Sequence, residues 1–344
     1  MTGRCTMADT RSRGSTLVVS RTPLRISFTG GGTDLAAFYE RDHGAVLSTA
    51  IDKYIWVTVK RHSEIFDEPI RLNYSRTEQV NTVDELANDI ARESLRFLEI
   101  EPPVYISTVG DLPASTGLGG SSSFAVGLLN ALHAFKGERV SAGQLADEAC
   151  HIEIDVLGQP IGKQDQYAAA FGGLNLFTFR SGGSVMVEPQ RVPAHIMSTI
   201  FDDVMLFWTG HQRDSVSVLA EQRDNTDRRM RELEALREQS YELRALLHGG
   251  DRTPASLGRL LDRGWQLKRG LASGVSSSQI DDWYDRARDA GALGGKLCGA
   301  GGGGFLMFLV EPRCQPSVRA ALGDLKEVSV RHEVHGSQIM LQVD

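Results

Sequence analysis

No apolar run in this sequence is long enough to cross a bilayer. The longest, Phe305–Val310, spans six residues, where a membrane helix needs about 20. Positive charge is in deficit as well: 37 Lys and Arg stand against 44 Asp and Glu, a net charge of −7. That balance disfavours a general role on nucleic acid or at a membrane surface. Any anion bound here must be held by local devices, such as helix N-termini and a few placed cations. Cysteine is scarce: Cys5, Cys150, Cys298 and Cys314 are scattered. Neither a disulfide framework nor a metal-ligand pair can be read from them, and a reducing, cytoplasmic compartment fits best. No two histidines stand at zinc-ligand spacing. Internal repeats and long low-complexity blocks are missing from the sequence. Residues 1–16, polar and basic, lack the apolar core of a signal peptide and are expected to form a disordered tail.

What remains is ordinary globular material, 344 residues with 41% hydrophobic and 24% charged, enough for two domains or one large one. Residues 17–29 and 45–62 read as strands, with Thr33 as N-cap of a short helix between them. Thr82 and Glu85 form a capping box for a helix to about Leu98. Val104–Val109 is a strand, Phe124–Phe135 an apolar helix, and Ser141 with Gln144 opens another that ends near Leu157. Leu174–Phe179 and Ser184–Val187 flank Ser181-Gly182-Gly183 as a hairpin. Beyond residue 195 the pattern changes. A strand at Val204–Trp208 leads into a long charged helical stretch, about 214–247, then helices near 256–271 and 279–290. A strand at Phe305–Val310, a helix near 316–325 and strands at 328–334 and 337–343 close the chain. Strands and helices mix without strict alternation, which argues for α+β, with domains at 17–195 and 196–344.

Three glycine-rich segments stand out. Pro113-Ala114-Ser115-Thr116-Gly117-Leu118-Gly119-Gly120-Ser121-Ser122-Ser123 follows a strand and opens an apolar helix. A helix N-terminus carries unpaired amides and about half a positive charge, and glycines let that backbone close on phosphate oxygens. Serine hydroxyls can add a phosphate contact or an oxygen ligand for Mg²⁺. A flexible surface loop is the plainer alternative. Gly299–Gly304 matches G-x-G-x-x-G, but a dinucleotide site needs a strand before it and a helix after it. Here a helix is expected before and a strand after, which leaves a phosphate-side wall, with Gly301 and Gly302, or a tight turn. In the third segment, Arg21–Asp34, Arg25 and Asp34 flank Gly30-Gly31-Gly32-Thr33, a turn with little side-chain bulk. A polyol could dock there with Asp34 accepting from its hydroxyls; an ordinary helix start reads equally well.

Two acids are candidates for chemistry. Glu153 closes an apolar helix, and Asp165, in Gly162-Lys163-Gln164-Asp165-Gln166, opens the next run, where a helix N-terminus favours a carboxylate. With Lys163 close by, Asp165 suits orientation or deprotonation of a hydroxyl in phosphoryl transfer, and Glu153 suits a metal ligand. Two solvated acids are the alternative. Thr209, His211 and Arg213 end a strand, a place for substrate contacts or for a surface loop. Arg223, Arg228, Arg229 and Arg231 alternate with acids and read as a solvated helix face.

Together these segments resemble the GHMP kinases, the family of galactokinase, homoserine kinase, mevalonate kinase and phosphomevalonate kinase. Arg21–Asp34 resembles the family's substrate motif, Pro113–Ser123 its ATP loop and Lys296–Phe305 its C-terminal glycine loop, in the family's order. The strings F-T-G-G-G-T-D-L at 28–35, G-L-G-G-S-S-S-F at 117–124 and G-K-Q-D-Q-Y at 162–167 are similar to bacterial D-glycero-D-manno-heptose 7-phosphate kinases. The resemblance implies a domain like ribosomal protein S5 domain 2 followed by a ferredoxin-like domain. It implies ATP-dependent phosphorylation of the anomeric O1 to a 1,7-bisphosphate, feeding GDP-heptose synthesis for capsule, lipopolysaccharide or S-layer glycan in a bacterial cytoplasm. ATP would sit on Pro113 and 117–123, with Mg²⁺ on Ser121 (or Ser122, one residue on) and Glu153. Asp165 would be the base, aided by Lys163 or Arg25. Residues 30–34, Thr209, His211, Arg213, Gly301 and Gly302 would hold the sugar phosphate. A homodimer is left open; nucleic acid and membrane are not expected partners. Gly31 and Gly32 replace the acid and histidine of galactokinases, which disfavours galactose. Other sugar kinases of the family, for fucose or a hexose, and a catalytically silent sugar sensor are the alternatives.

Overall fold

The computed structural model describes residues 15–63, 65–211, 215–249 and 251–344. Cys5, most of the expected tail and Arg213 lie outside the described residues. Ser15, which the tail was expected to include, is buried and hydrogen-bonds to Ala134 O and Asp344.

The first unit comprises β1 (Leu17–Thr29), α1 (Ala36–Tyr39), β2 (Gly44–Arg61), β3 (Ile70–Asn73), β4 (Thr77–Val80), α2 (Asp89–Phe97), β5 (Val104–Gly110), α3 (Gly120–Lys136), α4 (Ala142–Cys150), α5 (Gln164–Phe171), β6 (Leu174–Phe179) and β7 (Val185–Pro189). The β-branched runs of β1 and β2 pair antiparallel over nearly their whole length, with the register slipping after Pro23, where a proline is tolerated. β5 and β6 both extend β2, and α3 and α5 cover one face through Leu128, Leu129, Leu132 and Ala168.

The second unit holds α6 (Ala194–Asp202), β8 (Val204–Trp208), α7 (Ser215–Asp224), α8 (Met230–His248), α9 (Pro254–Lys268), α10 (Ser278–Asp289), β9 (Gly294–Leu297), β10 (Phe305–Leu309), α11 (Gln315–Ala321) and β11 (Lys326–Val328). Its antiparallel sheet runs β11-β8-β10-β9, the strand order of a ferredoxin-like domain. The last strand, β12 (Gln338–Val343), crosses back to pair with β1. The sheet changes between β7, ending at Pro189, and β8, beginning at Val204, while residues 338–343 belong to the first sheet. One apolar cluster, including Leu47, Leu206, Leu243, Cys298 and Phe305, continues through both units and fixes the cleft between them.

Several local expectations need correction. Thr82 caps nothing: Val83–Glu85 is a single 3₁₀ turn, and Asn88 accepts from Ala91 N to open α2. Glu78 competes successfully for that region, taking the amides of Ala87 and Asn88. The charged stretch 214–247 breaks at a 3₁₀ turn over Thr226–Arg229. Of residues 328–334, Val328 ends β11 and the rest form only an isolated bridge, His332 to Ile51. β9, glycine-rich and unforeseen, places a strand rather than a helix directly before the 299–304 loop.

Candidate active site

The three glycine-rich segments converge on one cavity of about 320 Å³. The first wall is the start of α3. Gly119 precedes it at φ 79° with no side-chain cap, and Ser123 N is the first amide bonded back, to Gly119 O. The amides of Gly120, Ser121 and Ser122 are therefore the unpaired N–H groups of a 17-residue helix, at residues lining the cavity. The second wall is the loop between β9 and β10. A Cβ on Gly117 would lie 2.5 Å from Cys298 O, and one on Gly299 would lie 2.4 Å from Gly117 Cα. Only glycine allows these two backbones, one from each unit, to touch.

The acids face this cradle. Asp165 stands in the first turn of α5, and Arg25, buried in β1, grips one of its oxygens: Nε donates to Oδ1 at 2.7 Å and Nη2 lies 2.6 Å from it. Arg25 Nη1 donates to Gly117 O at 2.7 Å, so one guanidinium ties acid to loop. Asp165 Oδ2 lies 3.5 Å from where a Cβ on Gly119 would be. Glu153 sits on a π-helical turn, His151–Val156, that continues α4; such turns recur at functional sites. It is fully buried and accepts from Ser121 Oγ at 2.9 Å and Gln166 Nε2 at 2.7 Å. Burial pushes its carboxyl up to about 7, against the lowering effect of hydrogen bonds from Ser122, Gln166 and Ser121. Asp34 is buried beneath the glycine turn, accepting from Gly32 N at 3.1 Å and Gln164 N at 3.3 Å. Burial and then the charge of Asp165 raise its carboxyl above the usual range. Gly162 is glycine because a Cβ there would lie 1.9 Å from Asp34 Oδ2.

Residues 81–173 match the family profile described as GHMP kinases N terminal domain, and residues 229–325 that described as GHMP kinases C terminal. This chain belongs to the GHMP kinases. It is 29% identical to D-glycero-alpha-D-manno-heptose 7-phosphate kinase of Campylobacter jejuni over 85% of this chain and 89% of that protein. A galactokinase of Pyrococcus furiosus is 24% identical over 86% and 89% of the two chains. Among solved structures, a D-glycero-D-manno-heptose 1-phosphate kinase from Bacteroides thetaiotaomicron superposes with a TM-score of 0.77 at 25% identity, covering 94% and 99%.

This GHMP kinase brings Arg25, Gly31, Gly32, Asp34, Gly117, Gly119–Ser122, Glu153, Asp165 and Gly301 to the cavity. Others named from the sequence have different work. Lys163, the residue before α5, turns away: Nζ donates to Gly183 O at 2.7 Å and lies over the Tyr39 ring. Ser123 donates to Pro23 O at 2.9 Å, locking α3 to β1 instead of reaching the cavity. Leu118 is core, and Pro113 is an exposed loop residue away from the cavity lining. Thr33 does not cap α1; its hydroxyl closes the turn onto Gly30 O and Ala45 O. Gly30 packs against Ala45. Thr209 bonds to Gly304 O, His211 folds onto Thr209 O, and Gly302 N donates to Val275 O, so these three shape the loop from behind. Among the lining residues that went unforeseen are Lys268 and Gln222. Each sits on a helix of mixed polarity, where sequence offers no sign that one polar side chain points inward.

Among the described residues no helix is long and apolar enough to cross a membrane.

Proposed function

We propose that this protein transfers the terminal phosphoryl group of ATP to the anomeric O1 of D-glycero-D-manno-heptose 7-phosphate, giving the 1,7-bisphosphate. One observation carries the reading: the Asp165 carboxylate lies against the helix start whose free amides suit a triphosphate. A hydroxyl placed between them meets a proton acceptor on one side and a phosphoryl donor on the other. The heptose comes from the relatives: the two names agree on a phosphorylated heptose and differ over the carbon that carries its phosphate. The 7-phosphate is preferred because the anomeric hydroxyl is the most acidic of a sugar, which suits a carboxylate base.

In this mechanism the amides of Gly120–Ser122 hold phosphate oxygens, and positioning with fixed dipoles supplies most of the acceleration. Arg25 acts through Asp165: holding Oδ1 leaves Oδ2 to accept or orient the O1 proton. Ser121 and Glu153 fit a divalent cation, since both offer hard oxygen donors and a buried carboxyl pushed up to about 7 gains from an adjacent positive charge. Mg²⁺ bound there with ATP would offset the charge of the phosphates.

The test is a coupled ADP-release screen with ATP and Mg²⁺ over heptose 7-phosphate, heptose 1-phosphate, galactose and L-fucose. Heptose 7-phosphate is expected to give the highest kcat/KM. ADP release independent of any added sugar, or strongest with galactose, would overturn the assignment.

A further inference from the structure

The acceptor side of the cavity is lined by Gly31 and Gly32, which offer no side chain. Two buried polar side chains from the second unit lean over them in parallel. Lys268, the last residue of α9, is 4% exposed; Nζ donates to Gly299 O and lies 3.7 Å from where a Cβ on Gly31 would be. Gln222, on α7, is 5% exposed; Nε2 donates to Ala300 O at 3.0 Å, and Oε1 lies 3.7 Å from where a Cβ on Gly32 would be. Each spends one donor on the 299–304 loop and keeps capacity on the cavity side: an ammonium has three N–H groups, and an amide oxygen has two lone pairs. Arg25 is committed elsewhere: each of its three nitrogens already faces Asp165 or Gly117 O. Burial pushes the Lys268 ammonium down to about 8, the mark of a desolvated cation that gains from a ligand oxygen.

We infer that Lys268 and Gln222 form the acceptor-recognition pair, the ammonium donating to one hydroxyl and the amide oxygen accepting from its neighbour on a vicinal diol laid over Gly31 and Gly32. The inference rests on the kinase reading above. A donor beside an acceptor matches two adjacent hydroxyls, and an acceptor lacking either leaves a buried polar group unpaired. The bare glycines and the inward side chains are then one device: a bulky residue at 31 or 32 would occupy the space in which the pair meets the sugar.

The experiment compares wild type, Lys268→Met, Gln222→Leu and Gly31→Ala by calorimetric binding of heptose 7-phosphate and by steady-state kinetics with ATP. Thermal melts establish folding, and Gly31→Ala meets only ordinary contacts in the free protein. The acceptor Kd and KM are expected to rise about tenfold or more in Lys268→Met and about threefold to tenfold in Gln222→Leu. Gly31→Ala should also raise both. The KM for ATP should stay within about threefold in all three. A rise in the KM for ATP with acceptor affinity unchanged, or no change in any variant while sugar-dependent ADP release is intact, would overturn the pair and leave the kinase reading standing. Sugar binding that depends on the pair without ADP release would overturn the kinase reading alone. Wild type that neither binds nor turns over the sugar overturns both.

Discussion

The two ends of the cavity are built from different materials. The end proposed for phosphate is backbone: free amides at 120–122, and glycines at 117 and 299 that let two loops touch. The end proposed for the acceptor is side chain: Asp165 held by Arg25, Asp34 under its turn, and Lys268 and Gln222 reaching in from other helices. A backbone end tolerates changes in side-chain chemistry but not added bulk. A side-chain end fails when chemistry changes at constant size, and bulk harms it only where Gly31 and Gly32 leave room for the acceptor. Substitutions that swap chemistry at constant size, and substitutions that add size without chemistry, should therefore separate the two ends.

The largest effect belongs to the acid. Asp165→Asn keeps the shape and removes the proposed base, so kcat should fall by about 10²–10⁴ while ATP affinity is kept. Next comes Glu153, whose carboxyl is raised from 4.5 to about 7 by burial. Between those values the folded chain keeps a proton that the unfolded chain has lost. Its contribution to stability is thus full below about pH 4.5 and is lost as pH rises to about 7, by about 3 kcal/mol. Denaturant titrations of the ligand-free protein should show that Glu153→Gln flattens this fall relative to wild type. Gly117→Ala places a methyl group against Cys298 O at a backbone φ of 80°; a loss of about 1–3 kcal/mol and a raised KM for ATP are expected. Ser123→Ala, which unties α3 from β1, should cost about 1 kcal/mol in denaturant unfolding and leave the KM for ATP unchanged. The smallest effect is Lys163→Met: kcat should stay within about threefold, since Nζ serves Gly183 and Tyr39.

The same division explains what the sequence made legible. The long β-branched strands and the apolar face of α3 follow from local pattern, and strand, loop and helix order around 104–136 marked the cradle. The resemblance to the family also paired Glu153 with Asp165. Sequence says little about where one polar group among several will point. Thr82 and Asn88 are both good caps, and Asn88 is the one that accepts from Ala91 N, with Glu78 taking the amides of Ala87 and Asn88 beside it. Lys163 and Lys268 are both lysines beside helix ends, yet only the fold that brings Lys268 next to Gly31 reveals which faces the cavity. β9 escaped notice because its glycines have low strand propensity; pairing with β10 holds it in place.

The claim on which the rest depends is spatial: the carboxylate of Asp165 and the amides of 120–122 meet one hydroxyl. A crystal structure with heptose 7-phosphate, Mg²⁺ and a non-hydrolysable ATP analogue tests it directly. The account expects terminal phosphate oxygens on the Gly120–Ser122 amides and the sugar O1 about 2.6–3.2 Å from Asp165 Oδ2. A triphosphate seated elsewhere, or an O1 with no path to Asp165 while both substrates are bound, would contradict it.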